Sequence, residues 1–89
     1  MAEMGVAGNV VSEMDGQPIA DAKVLLMGPD GTGETKTGKD GSFFIEATVE
    51  GDYEMTVSKT GYEEGKYGPL RILNGMTLTL RLALQPLMV

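Results

Sequence analysis

Residues 77–84 read Thr-Leu-Thr-Leu-Arg-Leu-Ala-Leu, and this stretch decides the fold class. A leucine stands at every second position, and the residues between the leucines are threonine, arginine and alanine. Side chains of a β-strand point alternately to opposite faces, so this spacing puts all four leucines on one face. A helix would distribute the same leucines around its axis. The stretch therefore predicts a β-strand with one face buried in a core.

Four more segments alternate in the same way, and we expect a half-buried strand at each. Residues 34–37 and 66–73 are candidates for edge strands, because the first segment is short and polar and the second contains Pro69. The inward positions of the four alternating segments are Val6, Gly8 and Val10; Ala22, Val24 and Leu26; Phe43 and Ile45; and Tyr53, Met55 and Val57. The side chains that we expect to be mostly buried are Val24, Phe43, Tyr53, Val57, Leu80 and Leu82.

Thirteen glycines and four prolines interrupt the chain too often for a helix of average length. The longest stretch free of both residue types is 76–85. Asp-Gly and Asn-Gly steps, which accept the positive φ of tight hairpins, occur at 15–16, 30–31, 40–41 and 74–75. Seven short strands separated by such turns predict an all-β fold, a seven-stranded Greek-key-type β-sandwich.

Length and composition limit the range of functions. A chain of 89 residues and 9.4 kDa predicts one domain, residues 1–89, with its core within 6–86. The chain contains no cysteine and no histidine. Disulfides, thiolate chemistry, imidazole bases and nearly all zinc sites are therefore excluded. We expect no enzymatic activity, no metal site and no cofactor.

The charge distribution limits the partners. The net charge is −6, and the seven basic residues are scattered along the chain, so we expect no nucleic acid partner. No apolar run is long enough to span a bilayer. Residues 1–4 lack the basic flank and apolar stretch of a signal peptide. We expect either a cytoplasmic protein or a domain taken from a longer secreted chain.

Three patterns suggest chemistry, and each has a simpler explanation. Residues 33–39 have the spacing of a phosphate-binding loop, but Asp40 replaces the Ser or Thr that holds magnesium, and a strand pattern follows. The acids at 15, 30, 34 and 40 match no EF-hand spacing, and turn formation accounts for the aspartates. The acids between 46 and 54 fit solvated strand faces better than a catalytic cleft.

Glycine-centred motifs follow one another in a recognisable order: 8–11 (GNVV), 16–24 (GQPIADAKV), 37–43 (TGKDGSF), 51–53 (GDY), 59–62 (KTGY) and 74–75 (NG). This ordered set resembles the carboxypeptidase regulatory-like domain, and the resemblance covers residues 6–86. It implies a transthyretin-like (prealbumin-like) sandwich that serves as a non-catalytic accessory module. Members of that family occur mostly in extracytoplasmic multidomain proteins, so the resemblance implies a secreted, cell-surface or periplasmic parent protein.

We therefore expect a module that spaces, stabilises or docks neighbouring domains or another protein. The alternative is a carbohydrate-binding module, because starch-binding domains of similar fold present exposed aromatic rings; Phe44, Tyr62 and Tyr67 are the aromatic residues expected outside the core. Weak glycan binding belongs to that alternative. The residues expected to form a partner surface are Leu25 and Met27 on one strand, Phe44 and Tyr67 as exposed rings, and Leu87, Met88 and Val89 in an apolar tail.

Overall fold

The computed structural model describes residues 4–29, 31–47 and 49–87, and every regular element among them is a β-strand. The alternating segments form the strands that the sequence predicts, and the polar segment and the proline-containing segment form strands as well. The seven strands are β1 (Gly5–Ser12), β2 (Lys23–Gly28), β3 (Gly31–Lys36), β4 (Ser42–Glu46), β5 (Gly51–Ser58), β6 (Gly65–Ile72) and β7 (Thr77–Leu84).

The strands form two sheets that face each other. One sheet has three strands in the order β4-β1-β7, and the other has four strands in the order β3-β2-β5-β6. All pairs are antiparallel except β1 with β7, which run parallel in the register Gly8 with Leu80. The predicted all-β sandwich is therefore confirmed, and its architecture is that of transthyretin-like domains.

The core lies between the sheets and is built from the inward positions that the alternation predicts. Met55, Val24 and Val57 of the four-stranded sheet are fully buried, as is Val10 of the three-stranded sheet. Five of the six side chains expected to be mostly buried are buried: Val24, Phe43, Tyr53, Val57 and Leu82. Leu80 is less completely covered than the other five, since it is partly buried and packs against the margin of the core.

Two glycines allow close contacts that a side chain would prevent. A Cβ atom on Gly8 would overlap the carbonyl oxygen of Leu80, and it would lie 3.2 Å from the ring of Phe43. A Cβ atom on Gly28 would overlap the ring of Tyr53. Gly8 therefore sets how closely Phe43 approaches the first strand, and Gly28 makes room for the largest aromatic side chain of the core.

The two sides of the sandwich are closed differently. On one side β3 and β4, the edge strands of the two sheets, pack against each other. On the other side β6 and β7 approach each other mainly at one end of β7, where the Tyr67 hydroxyl donates to the Ala83 carbonyl at 3.3 Å. There the Glu63 amide also donates to the Gln85 carbonyl at 2.8 Å. The amino-terminal half of β7 has no strand beside its outer edge among the described residues.

Candidate functional site

The outer face of the four-stranded sheet carries one of the predicted partner patches. Leu25 is partly buried and Met27 is 41% exposed, and both point away from the core. Their cross-strand neighbours are polar: Leu25 lies opposite Glu34 and Thr56, and Met27 lies opposite Glu54. The structure thus brings the two apolar residues together as a small patch inside a polar frame.

That frame is strongly charged. Ion pairs join Lys23 to Glu34 at 3.6 Å and Arg71 to Asp52 at 3.2 Å, and both pairs are exposed. Exposed pairs of this kind contribute little to stability, because water screens them. They keep the surface around Leu25 and Met27 hydrated, so the apolar patch is narrow.

The outer face of the three-stranded sheet has a different character. Phe44 is 37% exposed and lies opposite Ala7, which in turn lies beside Thr79. The neighbouring row runs from Ser42 through Asn9 to Arg81. The charged side chains on the outward positions of this sheet are Glu46, at its margin, and Arg81. We refer to this surface, centred on Phe44, Ala7 and Thr79, as the Phe44 face.

Two aromatic rings expected outside the core lie partly within it. Tyr67 faces inward opposite Met55, and both Tyr67 and Tyr62 pack against the core as partly buried side chains. Burial raises the pKa of Tyr67 above its usual value. Tyr67 is therefore less exposed than a sugar-stacking ring would be, and Phe44 is the one of these three rings that is exposed on a sheet face.

The apolar tail is described only in part. Leu87 is 52% exposed, and its amide donates to the Gly61 carbonyl at 3.0 Å. Pro86 forms an isolated bridge with Tyr62. Met88 and Val89 lie outside the described residues. The described part of the tail is thus attached to the loop that precedes β6.

The aspartates that could have been calcium ligands hold their own turns. A carboxylate oxygen of Asp40 accepts the Ser42 hydroxyl at 2.6 Å and the Ser42 amide at 3.1 Å. These bonds, the hydroxyl bond first, lower the pKa of Asp40. Asp15 accepts the Gln17 amide at 3.0 Å in the same way. The turn-forming role predicted for these two residues is confirmed, whereas Asp30 lies outside the described residues.

The other two sequence patterns that suggested chemistry, the loop at 33–39 and the acids between 46 and 54, lie in strands and turns. Residues 33–39 run from the end of β3 into the turn before β4, and a strand follows them rather than a helix. Glu46 and Glu54 are exposed, and Glu50 accepts the Asn74 amide at 3.0 Å. Among the described residues no group of three or more acids could hold a metal ion. The same part of the chain contains no helix that could cross a membrane.

A buried threonine is the structural residue that the sequence reasoning missed. Thr37 is 2% exposed, and its hydroxyl donates to the Ile19 carbonyl at 2.6 Å and accepts the Ala22 amide at 2.9 Å. The Ile19 amide in turn donates to the Val10 carbonyl of β1 at 2.9 Å. Thr37 therefore joins the segment before β2 to the segment before β4. In the sequence, the position of Thr37 at the start of the TGKDGSF motif is the signal that could have identified it.

These elements define a class: a small transthyretin-like β-sandwich whose candidate sites are the outer faces of its two sheets. The sequence profile of the carboxypeptidase regulatory-like domain matches residues 5–85. The chain belongs to this family, as the ordered glycine motifs predicted. No curated protein sequence matches the chain.

Solved structures of distant sequence share the fold. A candidate carbohydrate binding protein from Bacteroides uniformis aligns with a TM-score of 0.72 at 7% identity, over 92% of this chain and 41% of that one. The pilus 2b backbone protein of group B streptococcus gives 0.69 at 15% identity, over 94% and 41%. The 3-chlorocatechol 1,2-dioxygenase of Rhodococcus opacus gives 0.66 at 12% identity, over 98% and 62%. The chain spans about two fifths to three fifths of the length of these proteins, and at such identities the likeness shows the fold alone.

Proposed function

We propose that this domain is a non-catalytic accessory module that docks against a neighbouring folded domain through the Phe44 face. Three facts support the proposal: the chain belongs to a regulatory-like domain family, it has no cysteine or histidine, and its acids lie on exposed strands and turns. The likeness to parts of larger proteins supports the same role.

The observation that carries the proposal is the contrast between the two outer faces. The Phe44 face presents Ala7 and Thr79 in a row with the Phe44 ring. Its charges are Arg81, Glu46 and, at the margin, Asp40, whose carboxylate accepts the Ser42 hydroxyl. The opposite outer face is covered by paired lysines, arginine and acids. In a chain with 22% charged residues, a sheet face with few charges suits burial against another protein, because few charges would have to be desolvated.

The test is the thermal midpoint of Phe44→Asp, measured for this chain alone and within its complete gene product. We expect the substitution to lower the midpoint of the domain by several degrees more in the complete product, because only there does it bury a charge. Met27→Asp on the other outer face is the matched control and should give the same shift in both settings. Equal shifts for Phe44→Asp in both settings would refute docking through this face.

Carbohydrate binding is the second candidate, and the setting of Phe44 favours it specifically. An exposed ring on a flat sheet can stack on a sugar, and the adjoining row of Ser42, Asn9 and Arg81 offers hydrogen-bonding groups. The fold is also that of a candidate carbohydrate binding protein. Tyr67 supports this candidate less well, since it is partly buried against the core.

Titration calorimetry with neutral oligosaccharides such as maltohexaose and cellohexaose tests this candidate. We expect a weak heat signal that Phe44→Ala abolishes and Phe44→Tyr preserves, because the stacking face is lost in one variant and kept in the other. Binding that survives Phe44→Ala, or the absence of binding across the panel, would exclude a ring-dependent glycan site on this face.

A further inference from the structure

Three turns contain an Asp-Gly or Asn-Gly step that the structure describes in full, at 15–16, 40–41 and 74–75. In such a step the backbone nitrogen of the glycine can attack the side-chain carbonyl carbon of the residue before it, because glycine has no Cβ atom to obstruct the approach. The reaction needs a glycine amide that no acceptor holds and a side chain that is free to rotate towards it. The structure distinguishes the three steps on both requirements.

At 15–16, in the turn that follows β1, both groups are engaged. The Gly16 amide donates to the Ser12 carbonyl at 2.8 Å. The Asp15 carboxylate accepts the Gln17 amide at 3.0 Å. Ring closure at this step would first have to break two hydrogen bonds of the turn.

At 40–41, in the turn before β4, the engagement is stronger. The Gly41 amide donates to the Gly38 carbonyl at 3.0 Å, and Gly41 itself is buried. The Asp40 carboxylate accepts both the hydroxyl and the amide of Ser42, at 2.6 and 3.1 Å. This step therefore offers neither a free nucleophile nor a mobile side chain.

The turn between β6 and β7 differs from the other two. The Met76 amide donates to the Leu73 carbonyl at 3.0 Å and closes a β-turn, in which Gly75 has a φ of 77°. Asn74 and Gly75 are both exposed. Within the described residues, neither the Gly75 amide nor the Asn74 side chain has a hydrogen-bond partner. The backbone amide of Asn74 is held by Glu50 at 3.0 Å, so the turn is ordered while its two reactive groups are free.

We propose that Asn74 is a site of spontaneous covalent modification in the folded protein, through ring closure onto Gly75. The Gly75 nitrogen bonds to Cγ of Asn74 while the bond between Cγ and Nδ2 breaks, and Nδ2 leaves as ammonia with the amide proton of Gly75. The product is a five-membered succinimide ring. One water molecule then opens the ring at either carbonyl, which leaves an aspartyl or an isoaspartyl linkage at position 74. The steps need no oxidant, reductant or enzyme.

The modification changes the connection between the two sheets. Either product adds one negative charge beside Glu50, whose carboxylate accepts the Asn74 amide, and like charges at such short range repel each other. The isoaspartyl product also lengthens the backbone by one carbon within the turn that joins β6 to β7. Both products should therefore weaken the contact with Glu50. The reaction is independent of docking through the Phe44 face, because it uses none of the residues of that face.

Incubation of the whole chain in mildly alkaline buffer, followed by tryptic digestion and mass spectrometry, tests the proposal. Fragment 72–81 should gain the difference in mass between water and ammonia and separate into two isomers, at a rate within about tenfold of that of a synthetic peptide of the same sequence. Asn9 is the internal control and should stay unmodified, because the Val10 amide that follows it donates to the Gly41 carbonyl at 2.8 Å. Modification of Asn74 more than about tenfold slower in the folded chain than in the peptide would overturn the proposal.

The Gly75→Ala variant tests the ring-closure step. The structure leaves open space around a Cβ atom at this position, but the new methyl group obstructs the attacking nitrogen and should slow the modification at least about tenfold. A synthetic peptide with the same substitution gives this reading even if the positive φ prevents the variant from folding. Unchanged modification in the variant, or a single product without the isoaspartyl isomer, would mean direct hydrolysis and would overturn the proposal.

The same incubation in urea tests whether the turns control the reaction. Unfolding releases the glycine amides and carboxylates at 15–16 and 40–41, so isoaspartyl formation at these two steps should accelerate. The rate at 74–75 should change by less than about tenfold, since its reactive groups are already free in the folded chain. If unfolding accelerated all three steps alike, the folded turn at 74–75 would be as protective as the others, and the proposal would be wrong.

Discussion

The two halves of β7 share one sequence pattern but lie in different surroundings. Leu82 and Leu84 are almost fully covered where the segment before β6 meets the end of β7, whereas Leu78 and Leu80 are only partly covered along the open edge. The alternation of leucine determines which face each side chain takes. How deeply each one is buried depends on the neighbouring element at the sheet edge, and that element differs between the two halves.

The largest difference between the halves should come from an introduced charge. We expect Leu82→Asp to prevent folding, because a buried, unpaired carboxylate costs several kcal/mol out of a total stability of about 4–13 kcal/mol for a chain of this length. Leu80→Asp should leave a folded domain of lower stability, since water can reach the new carboxylate at the open edge. Circular dichroism during thermal unfolding distinguishes these outcomes, and equal loss of structure in both variants would mean that the halves do not differ.

Truncation of the same leucines should show the contrast on a finer scale. Leu84→Ala leaves a cavity in the closed core and should lower the free energy of unfolding by about 2–5 kcal/mol. Leu78→Ala should cost less than half as much, because part of its side chain is already hydrated. Urea unfolding at 25 °C measures both values, and a cost for Leu78→Ala that matches or exceeds that for Leu84→Ala would contradict the burial gradient.

The β3/β4 side of the sandwich can be compared with the open side. On the β3/β4 side the buried hydroxyl of Thr37 joins neighbouring segments, whereas on the open side the exposed hydroxyl of Tyr67 bonds to Ala83 of β7. Thr37→Val keeps the shape of the side chain and removes its bonds to Ile19 and Ala22. We expect a loss of about 1–3 kcal/mol in urea unfolding, since a buried amide and a buried carbonyl lose their partner. Thr37→Ser, which keeps the hydroxyl, should recover part of that loss. No difference between the two variants would show that packing matters more than these bonds.

On the open side, the contact between the Tyr67 hydroxyl and the Ala83 carbonyl should have the smallest effect on stability. The contribution of Tyr67 should also depend on pH. Burial raises the pKa of Tyr67, so its neutral form is favoured in the folded state. This contribution to stability is fully present below the pKa of the unfolded chain, and it is lost as the pH rises through the higher pKa of the folded state. Tyr67→Phe should therefore show a weaker fall in thermal midpoint at alkaline pH than the wild type. An identical fall in both proteins would contradict this assignment.

The sequence predicted the strands because period-two alternation and glycine turns are local signals. It predicted the family from ordered motifs, and it placed Phe44 and Met27 on outer faces correctly. It could not predict that Leu80 is less covered than Leu82, or that Tyr67 packs against the core. The exposure of these side chains depends on how the edge strands β6 and β7, which belong to different sheets, approach each other. Thr37 was missed for a related reason, since its hydrogen-bond partners lie 15 and 18 residues away along the chain.

The most direct test of this account is residue-by-residue amide hydrogen exchange along β7 in dilute solution, where copies of the chain are separate. The account predicts that the amides of Leu80 and Leu82 are protected by β1, while those of Thr79 and Arg81 exchange nearly as fast as amides in an unstructured peptide. Equal, strong protection of Thr79 and Arg81 under these conditions would contradict it, because it would mean that the edge of β7 is already covered within a single chain.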